Sequence, residues 1–193
     1  ISKLFIDPSR PTTLKQRYRC SGKTLLKVSH LHQNSISKNL QKKILNYIKS
    51  KIEKYDLVVF SDFNYGCLPK ELVEKITLLG RKFKKFLVAD CQSSSQVGDL
   101  LKYKKMNLIT PTEREARICT KNNDDGLVVL AEDVRKKTNA ENIILRASIS
   151  STLAYFGWEI ENFPSIAAFS TNRASVSSTT SDTRFTSGSS IMK

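Results

Sequence analysis

Three short polar runs each follow an apolar stretch: Ser61-Asp62-Phe63-Asn64-Tyr65-Gly66 after Leu57-Val58-Val59-Phe60, Asp90-Cys91-Gln92 after Phe86-Leu87-Val88-Ala89, and Thr110-Pro111-Thr112-Glu113-Arg114-Glu115 after Asn107-Leu108-Ile109. Carboxylates, amides and hydroxyls in such places suit contacts with a polar substrate or a phosphate. Asp62 and Asp90 are candidates for touching a ligand, and Asp62 could equally cap its own loop through the backbone, as Asp does in turns. Thr112-x-x-Glu115 also has the spacing of a capping box, which satisfies the first N–H groups of a helix without any catalysis. Metal chemistry finds less support. Cys20, Cys67, Cys91 and Cys119 are widely separated, with no C-x-x-C pair to hold zinc or form a redox dithiol. His30 and His32 would share one strand face, but no acidic residue or cysteine lies near them to complete a ligand set.

The elements that must position these runs alternate in kind. Leu25 to Val28 reads as a short strand, and Lys38 to Tyr55 as a helix whose Leu40, Ile44, Ile48 and Ile52 recur every fourth residue. Leu57 to Phe60 predicts a strand buried on both faces, and Pro69 the first turn of a second helix that stops at Gly80. Phe86 to Ala89, Asn107 to Thr110 and Asn142 to Leu145 predict further strands, with helices over Thr112 to Cys119 and Gly126 to Lys137. Strands alternating with helices imply βαβ units: an α/β fold with a mostly parallel sheet and helices on both faces. Ligands of such sheets gather at the carboxyl ends of the strands, where the three polar runs fall.

Of the 193 residues, 39% are hydrophobic and 26% charged, which suits one domain, or one domain plus a fragment. The longest unbroken apolar run, Leu127 to Ala131, is far short of the roughly 18 residues a membrane-spanning helix needs, so no membrane partner is expected. Ile1 to Asp7 lacks the order of a signal peptide, which predicts a chain that begins mid-fold, and the dispersed cysteines predict a reducing, cytoplasmic setting. Charge is uneven. Residues 1 to 140 hold 28 Lys and Arg against 14 Asp and Glu, whereas residues 141 to 193 hold 4 against 4. From Ala147 onward 18 of 47 residues are Ser or Thr, marking a linker, a tail or a sequence defect. The lysines are spread over several segments with few interleaved aromatics, the pattern of solvated helix faces rather than of a nucleic-acid interface.

The succession of segments resembles the ribokinase-like, PfkB-type carbohydrate kinases, and among them the heptose-7-phosphate kinases, often joined to a nucleotidyltransferase for making ADP-heptose. Arg10-Pro11-Thr12-Thr13-Leu14-Lys15-Gln16-Arg17 looks like their P-T-T-x-K-x-R segment, and Ser61 to Gly66 is similar to their S-D-Y-x-K-G loop, with Tyr65 in the place of the lysine. Ala89-Asp90 matches the strand that ends in D-P-K, and Thr110 to Ala116 the T-P-N-x-x-E-A segment. The resemblance spans residues 10 to about 146 in order. It implies an incomplete ribokinase-like fold, a transferase passing phosphoryl from ATP to a sugar or sugar-phosphate hydroxyl, and Mg²⁺. By resemblance Glu115 helps hold the metal through water, Thr112 stands for the motif's asparagine, and Asp90, Thr112 and Glu115 are the ATP side, with Asp62 and Asn64 on the sugar side.

Beyond Leu145 the family pattern fades. Leu145-Arg146-Ala147-Ser148-Ile149-Ser150 has alanine and serine where the family's T-x-G-x-x-G loop has glycine, and Thr179-Thr180-Ser181-Asp182 is the nearest match to G-A-G-D. Asp182 is therefore the candidate catalytic base. Glycine reaches φ > 0 and admits phosphate close to the backbone, whereas threonine resists both. The chain divides on these grounds into a partial kinase core, 1 to 146, and an atypical Ser/Thr-rich segment, 147 to 193, where the reading frame or the gene departs from the family. The alternatives are a noncatalytic relic that binds nucleotide or a partner protein, and a basic nucleic-acid-binding module. Loss of the family's first strands would expose an apolar edge, which predicts poor solubility or a homodimer.

Overall fold

The computed structural model describes residues 3–92, 98–148, 151–156 and 166–170, with side chains through Arg146. The chain opens with a hairpin, β1 (Leu14–Cys20) and β2 (Lys23–His30), of which the sequence pattern disclosed only the middle of the second strand. Ser21 and Gly22 form its turn with φ of 47° and 79°, the left-handed pair that suits the twist of a tight hairpin.

Helix α1 (Lys38–Lys51) follows, its N-terminus capped by the Ser37 hydroxyl, which accepts from the Leu40 amide at 3.2 Å. A 3-10 turn, Ile52–Lys54, leads into β3 (Leu57–Asp62). Then come α2 (Lys70–Lys82), β4 (Phe86–Cys91), a 3-10 turn at Leu100–Lys102, β5 (Leu108–Ile109), α3 (Glu113–Thr120), α4 (Leu127–Thr138) and β6 (Asn142–Ser148). β3, β4, β5 and β6 are parallel neighbours in that order, and β7 (Ser151–Phe156) and β8 (Ile166–Ser170) extend the same sheet antiparallel. The result is the expected α/β architecture, a mostly parallel sheet flanked by helices. The composition change at residue 146 falls inside β6, and the sheet continues past it.

One apolar cluster joins the layers: Leu72, Val73 and Ile76 of α2 and Leu130 and Val134 of α4 pack with sheet residues Phe60, Leu87, Ile109, Ile143 and Leu145. Two expectations are corrected. α2 does not stop at Gly80 but runs to Lys82, because this glycine serves a close approach: a Cβ there would lie 2.5 Å from the Leu87 Cδ2 atom, so its absence lets the helix settle onto β4. The chain turns away instead at Lys84, with φ of 51°. β3 is not buried on both faces, since Phe60 is 3% exposed while its neighbours Leu57 and Val59 are 50% and 55% exposed. Leu57 and Val59 share one face of the sheet with Phe86 of β4, itself 47% exposed, and that face is open there; among the described residues β3 pairs with β4 alone.

Candidate functional site

β3 ends at Asp62, and the loop that follows is shaped around that carboxylate. Asp62 Oδ1 accepts from the Asn64 amide at 2.9 Å, while Oδ2 accepts from Lys102 Nζ at 2.6 Å and from the Tyr103 hydroxyl at 2.7 Å. Asp62 is 3% exposed and Lys102 9%, so this is a buried ion pair fully bonded by its surroundings. The Lys102 ammonium reaches on to the Leu68 carbonyl at 2.9 Å. Burial and the adjacent Asp62 carboxylate push the Tyr103 phenol far above its ordinary range, keeping it a hydrogen-bond donor.

The loop takes two left-handed residues, Asn64 with φ of 58° and Gly66 with φ of 78°. The Asn64 side-chain amide donates to the Gln92 carbonyl at 2.8 Å and to Cys91 Sγ at 3.1 Å, binding the end of β3 to the end of β4. Burial pushes the Cys91 thiol up to about 11, offset in part by the Asn64 bond. From the other side the hairpin region docks on the same loop: Arg10 Nη1 donates to the Tyr65 carbonyl at 2.7 Å and to the Asn34 carbonyl at 3.1 Å. Lys15 of β1 sits 5.2 Å from the Phe63 ring centre and 5.0 Å from that of Tyr65, the two rings being stacked on each other. A cleft of about 450 Å³ lies between the segment that precedes β1 and this loop, lined among others by Arg10, Thr12, Thr13, His32, Tyr65 and Cys67.

A second polar group sits at the ends of β4, β5 and β6. Asp90 Oδ1 accepts from the Thr110 hydroxyl at 3.1 Å and from Arg146 Nη2 at 3.0 Å, and Oδ2 accepts from Gln92 Nε2 at 3.2 Å. Thr112 and Glu115 form the anticipated capping box of α3: the Thr112 hydroxyl accepts from the Glu115 amide at 3.3 Å, and Glu115 Oε2 accepts from the Thr112 amide at 2.8 Å. A backbone bridge between Thr112 and Arg146 joins this corner to β6.

The parallel register decides how the candidates relate. Ser61 lies beside Asp90 and Asp62 beside Cys91, so the two aspartates project from opposite faces of the sheet. Asp62 and Asn64 belong with the loop on which the hairpin docks, whereas Asp90, Thr112 and Glu115 gather at the β4 to β6 corner. Asp182 lies outside the described residues. Among the described residues no three His, Cys, Asp or Glu side chains form a metal cluster. Mg²⁺ commonly keeps several waters and takes only one or two carboxylates; Glu115 is 7% exposed and accepts from the Thr112 amide through Oε2. No helix among the described residues is long and apolar enough to cross a membrane.

Lys102, Tyr103 and Arg146 were not singled out from the sequence. Lys102 stands in Lys102-Tyr103-Lys104-Lys105, a run whose spacing gives no sign that one ammonium is buried. Arg10 was legible only as part of the P-T-T-x-K-x-R-like segment.

No protein-family model matches the chain. It is 33% identical to the bifunctional protein HldE of Helicobacter pylori strain J99 over 114 residues, which is 59% of this chain and 24% of that protein. It is 27% identical to the bifunctional protein HldE of Wolinella succinogenes over 167 residues, 85% of this chain and 34% of that protein. The second match exceeds the 146 residues before the composition change and so extends into the Ser/Thr-rich part. The chain thus spans about a quarter to a third of these curated relatives. A mutant of phosphofructokinase-2 from Escherichia coli superposes with a TM-score of 0.59 at 13% identity, covering 86% of this chain and 51% of that one. A possible 1-phosphofructokinase from Thermotoga maritima gives 0.57 at 14% identity, covering 81% and 47%. At these identities the likeness to solved structures is one of fold. With its parallel sheet, its hairpin and its polar strand ends, the chain has the ribokinase-like fold of the PfkB-type carbohydrate kinases and is similar in sequence to the HldE bifunctional proteins.

Proposed function

We propose that the protein containing this chain passes the terminal phosphoryl group of ATP to a hydroxyl of a sugar or sugar phosphate, of the heptose-7-phosphate kinase type. The observation that carries this reading is the similarity to the HldE of Wolinella succinogenes, which over 85% of the chain must include both polar corners. In such a transfer charge develops on the moving phosphoryl oxygens, and positioning with electrostatic stabilisation does most of the work. Mg²⁺, when bound, neutralises part of that charge. Glu115 would hold it through water, its carboxylate already oriented by the Thr112 amide. Asp90 and Thr112 serve the nucleotide side. Asn64 and Asp62 serve the sugar side, Asp62 through the loop it shapes. Asp182 takes the hydroxyl proton. Residues 1 to 146 form the partial kinase core and 147 to 193 a divergent continuation of it, in a cytoplasmic protein that forms homodimers.

The test is ADP formation from ATP by the full-length protein with a panel of sugar phosphates including heptose 7-phosphate and fructose 6-phosphate. Turnover that requires the sugar and is lost in Asp182→Asn is the expected result. A second reading, a noncatalytic nucleotide-binding relic, draws on Thr179-Thr180-Ser181 standing where glycines would form an anion hole. ATP binding without ADP release, under every sugar tried, would replace the first reading with the second.

A further inference from the structure

Lys102 belongs to no motif, yet it is the most enclosed lysine at either polar corner, at 9% exposure. Its ammonium has three protons to donate. It meets Asp62 Oδ2 at 2.6 Å, the Leu68 carbonyl at 2.9 Å and Asn64 Oδ1 at 3.4 Å. The first and second of these partners are the two ends of the loop between β3 and α2. Between those ends lie the left-handed Asn64 and Gly66, of which the non-glycine Asn64 holds a conformation that its surroundings must support. The same loop offers the Tyr65 carbonyl to Arg10 and the Phe63 and Tyr65 rings to Lys15, which are the docking points of the hairpin region.

We propose that Lys102 is a positioning residue: its buried ammonium clamps the two ends of the 62–68 loop, and through that loop it sets the pose of the hairpin docked on it. An apolar side chain of equal length would fill the space but leave the Asp62 carboxylate and the Leu68 carbonyl without their shared donor. The clamp reaches the loop from the 3-10 turn at Leu100–Lys102, about forty positions downstream of Asp62, so two distant segments jointly define the sugar side. The catalytic consequence rests on the kinase reading above. The mechanical one does not.

The experiment uses the full chain with three proteins: wild type, Lys102→Met, and the double variant Asp62→Asn with Lys102→Met. The double variant removes both charges together, and its asparagine can accept from the Asn64 amide through its oxygen while donating from its nitrogen to the Tyr103 oxygen, so it is expected to stay folded where the single variant does not. Cys91, 1% exposed and bonded to Asn64, reports loop opening through its rate of alkylation by N-ethylmaleimide, read by peptide mass spectrometry. In the double variant we expect Cys91 labelling and amide exchange in β1 and β2 to quicken by on the order of 10-fold, without a matching fall in melting temperature. We expect KM for the sugar phosphate to rise by on the order of 10-fold while KM for ATP stays within about twofold. Unchanged labelling and hairpin exchange in a folded variant would overturn the proposal, and so would equal rises in both KM values. If wild type shows no sugar-dependent turnover, the kinase reading falls, and the labelling and exchange rates alone decide whether Lys102 is the clamp.

Discussion

Replacing Gly66 by alanine places a methyl carbon 2.2 Å from the Asn34 carbonyl oxygen and 2.7 Å from the Gln33 carbonyl oxygen. Neither neighbour is a flexible side-chain end, so the backbone at 33 and 34 or at 66 must move. That motion pulls on the bond from the Ile36 amide to the Gly66 carbonyl, 3.0 Å long, worth about 1 kcal/mol. Gly66 has φ of 78°, where an L-residue adds about 1 to 2 kcal/mol of strain. Together the substitution destabilises by about 3 kcal/mol, which for a chain of this length lowers the melting temperature by roughly 6 to 12 °C. Gly22 supplies the control. Its φ of 79° is nearly the same, but nothing lies within 4 Å of the added Cβ, so Gly22→Ala should cost only the strain, about 1 to 2 kcal/mol. Thermal melts of the two single variants and wild type, followed by circular dichroism in one buffer, make the comparison. If Gly66→Ala melts within about 2 °C of Gly22→Ala, the close approach of the 62–68 loop to residues 33 and 34 is not a feature of the protein, and the docking of the hairpin on that loop loses its basis.

Thr112→Ala removes the hydroxyl that caps α3 and should cost about 1 kcal/mol, lowering the melting temperature by roughly 2 to 4 °C; an unchanged melt would mean that α3 does not depend on its cap. The Cys91 thiol has its pKa pushed from an ordinary 9.0 up to about 11 by burial, so between those values the unfolded chain ionises while the folded one does not. Stability should therefore hold steady below pH 9 and decline from 9 to 11, by roughly 2 kcal/mol from this group alone. Denaturant titrations at pH 8 and 10.5 should show a smaller difference for Cys91→Ala than for wild type, and equal differences would refute the burial argument. Val59, 55% exposed on end strand β3 beside the half-exposed Leu57 and Phe86, should promote self-association. Val59→Lys, which puts a charge into this exposed apolar face, is expected to shift sedimentation toward monomer, and an unchanged distribution would place the contact elsewhere.

Much of the fold was legible because its signals are local. The fourfold spacing of Leu40, Ile44, Ile48 and Ile52 needs no partner to be seen, and each apolar stretch closing on Asp or Thr marks a strand end. The capping box at Thr112 and Glu115 is likewise written in four consecutive residues. β1 escaped notice because Lys15, Arg17 and Arg19 interrupt it with charge: a two-stranded ribbon exposed on both sides carries no apolar alternation to detect. Gly80 was misread for a different reason. A glycine at the end of an apolar helical pattern is a usual stop, and only the position of Leu87 on another element shows that it is a contact instead.

The sequence by itself determined the order of elements from α1 to β6, the α/β class and the placing of Asp62, Asp90, Thr112 and Glu115 at or just beyond strand ends, since each of these depends on residues close together in the chain. Only the tertiary structure decided that Asp62 and Asp90 project from opposite faces of the sheet, that Asp62 is bonded on both oxygens, and that Lys102 and Tyr103 complete its surroundings. These are matters of register and burial between segments about forty residues apart, and no local pattern records which of many lysines will lose its water.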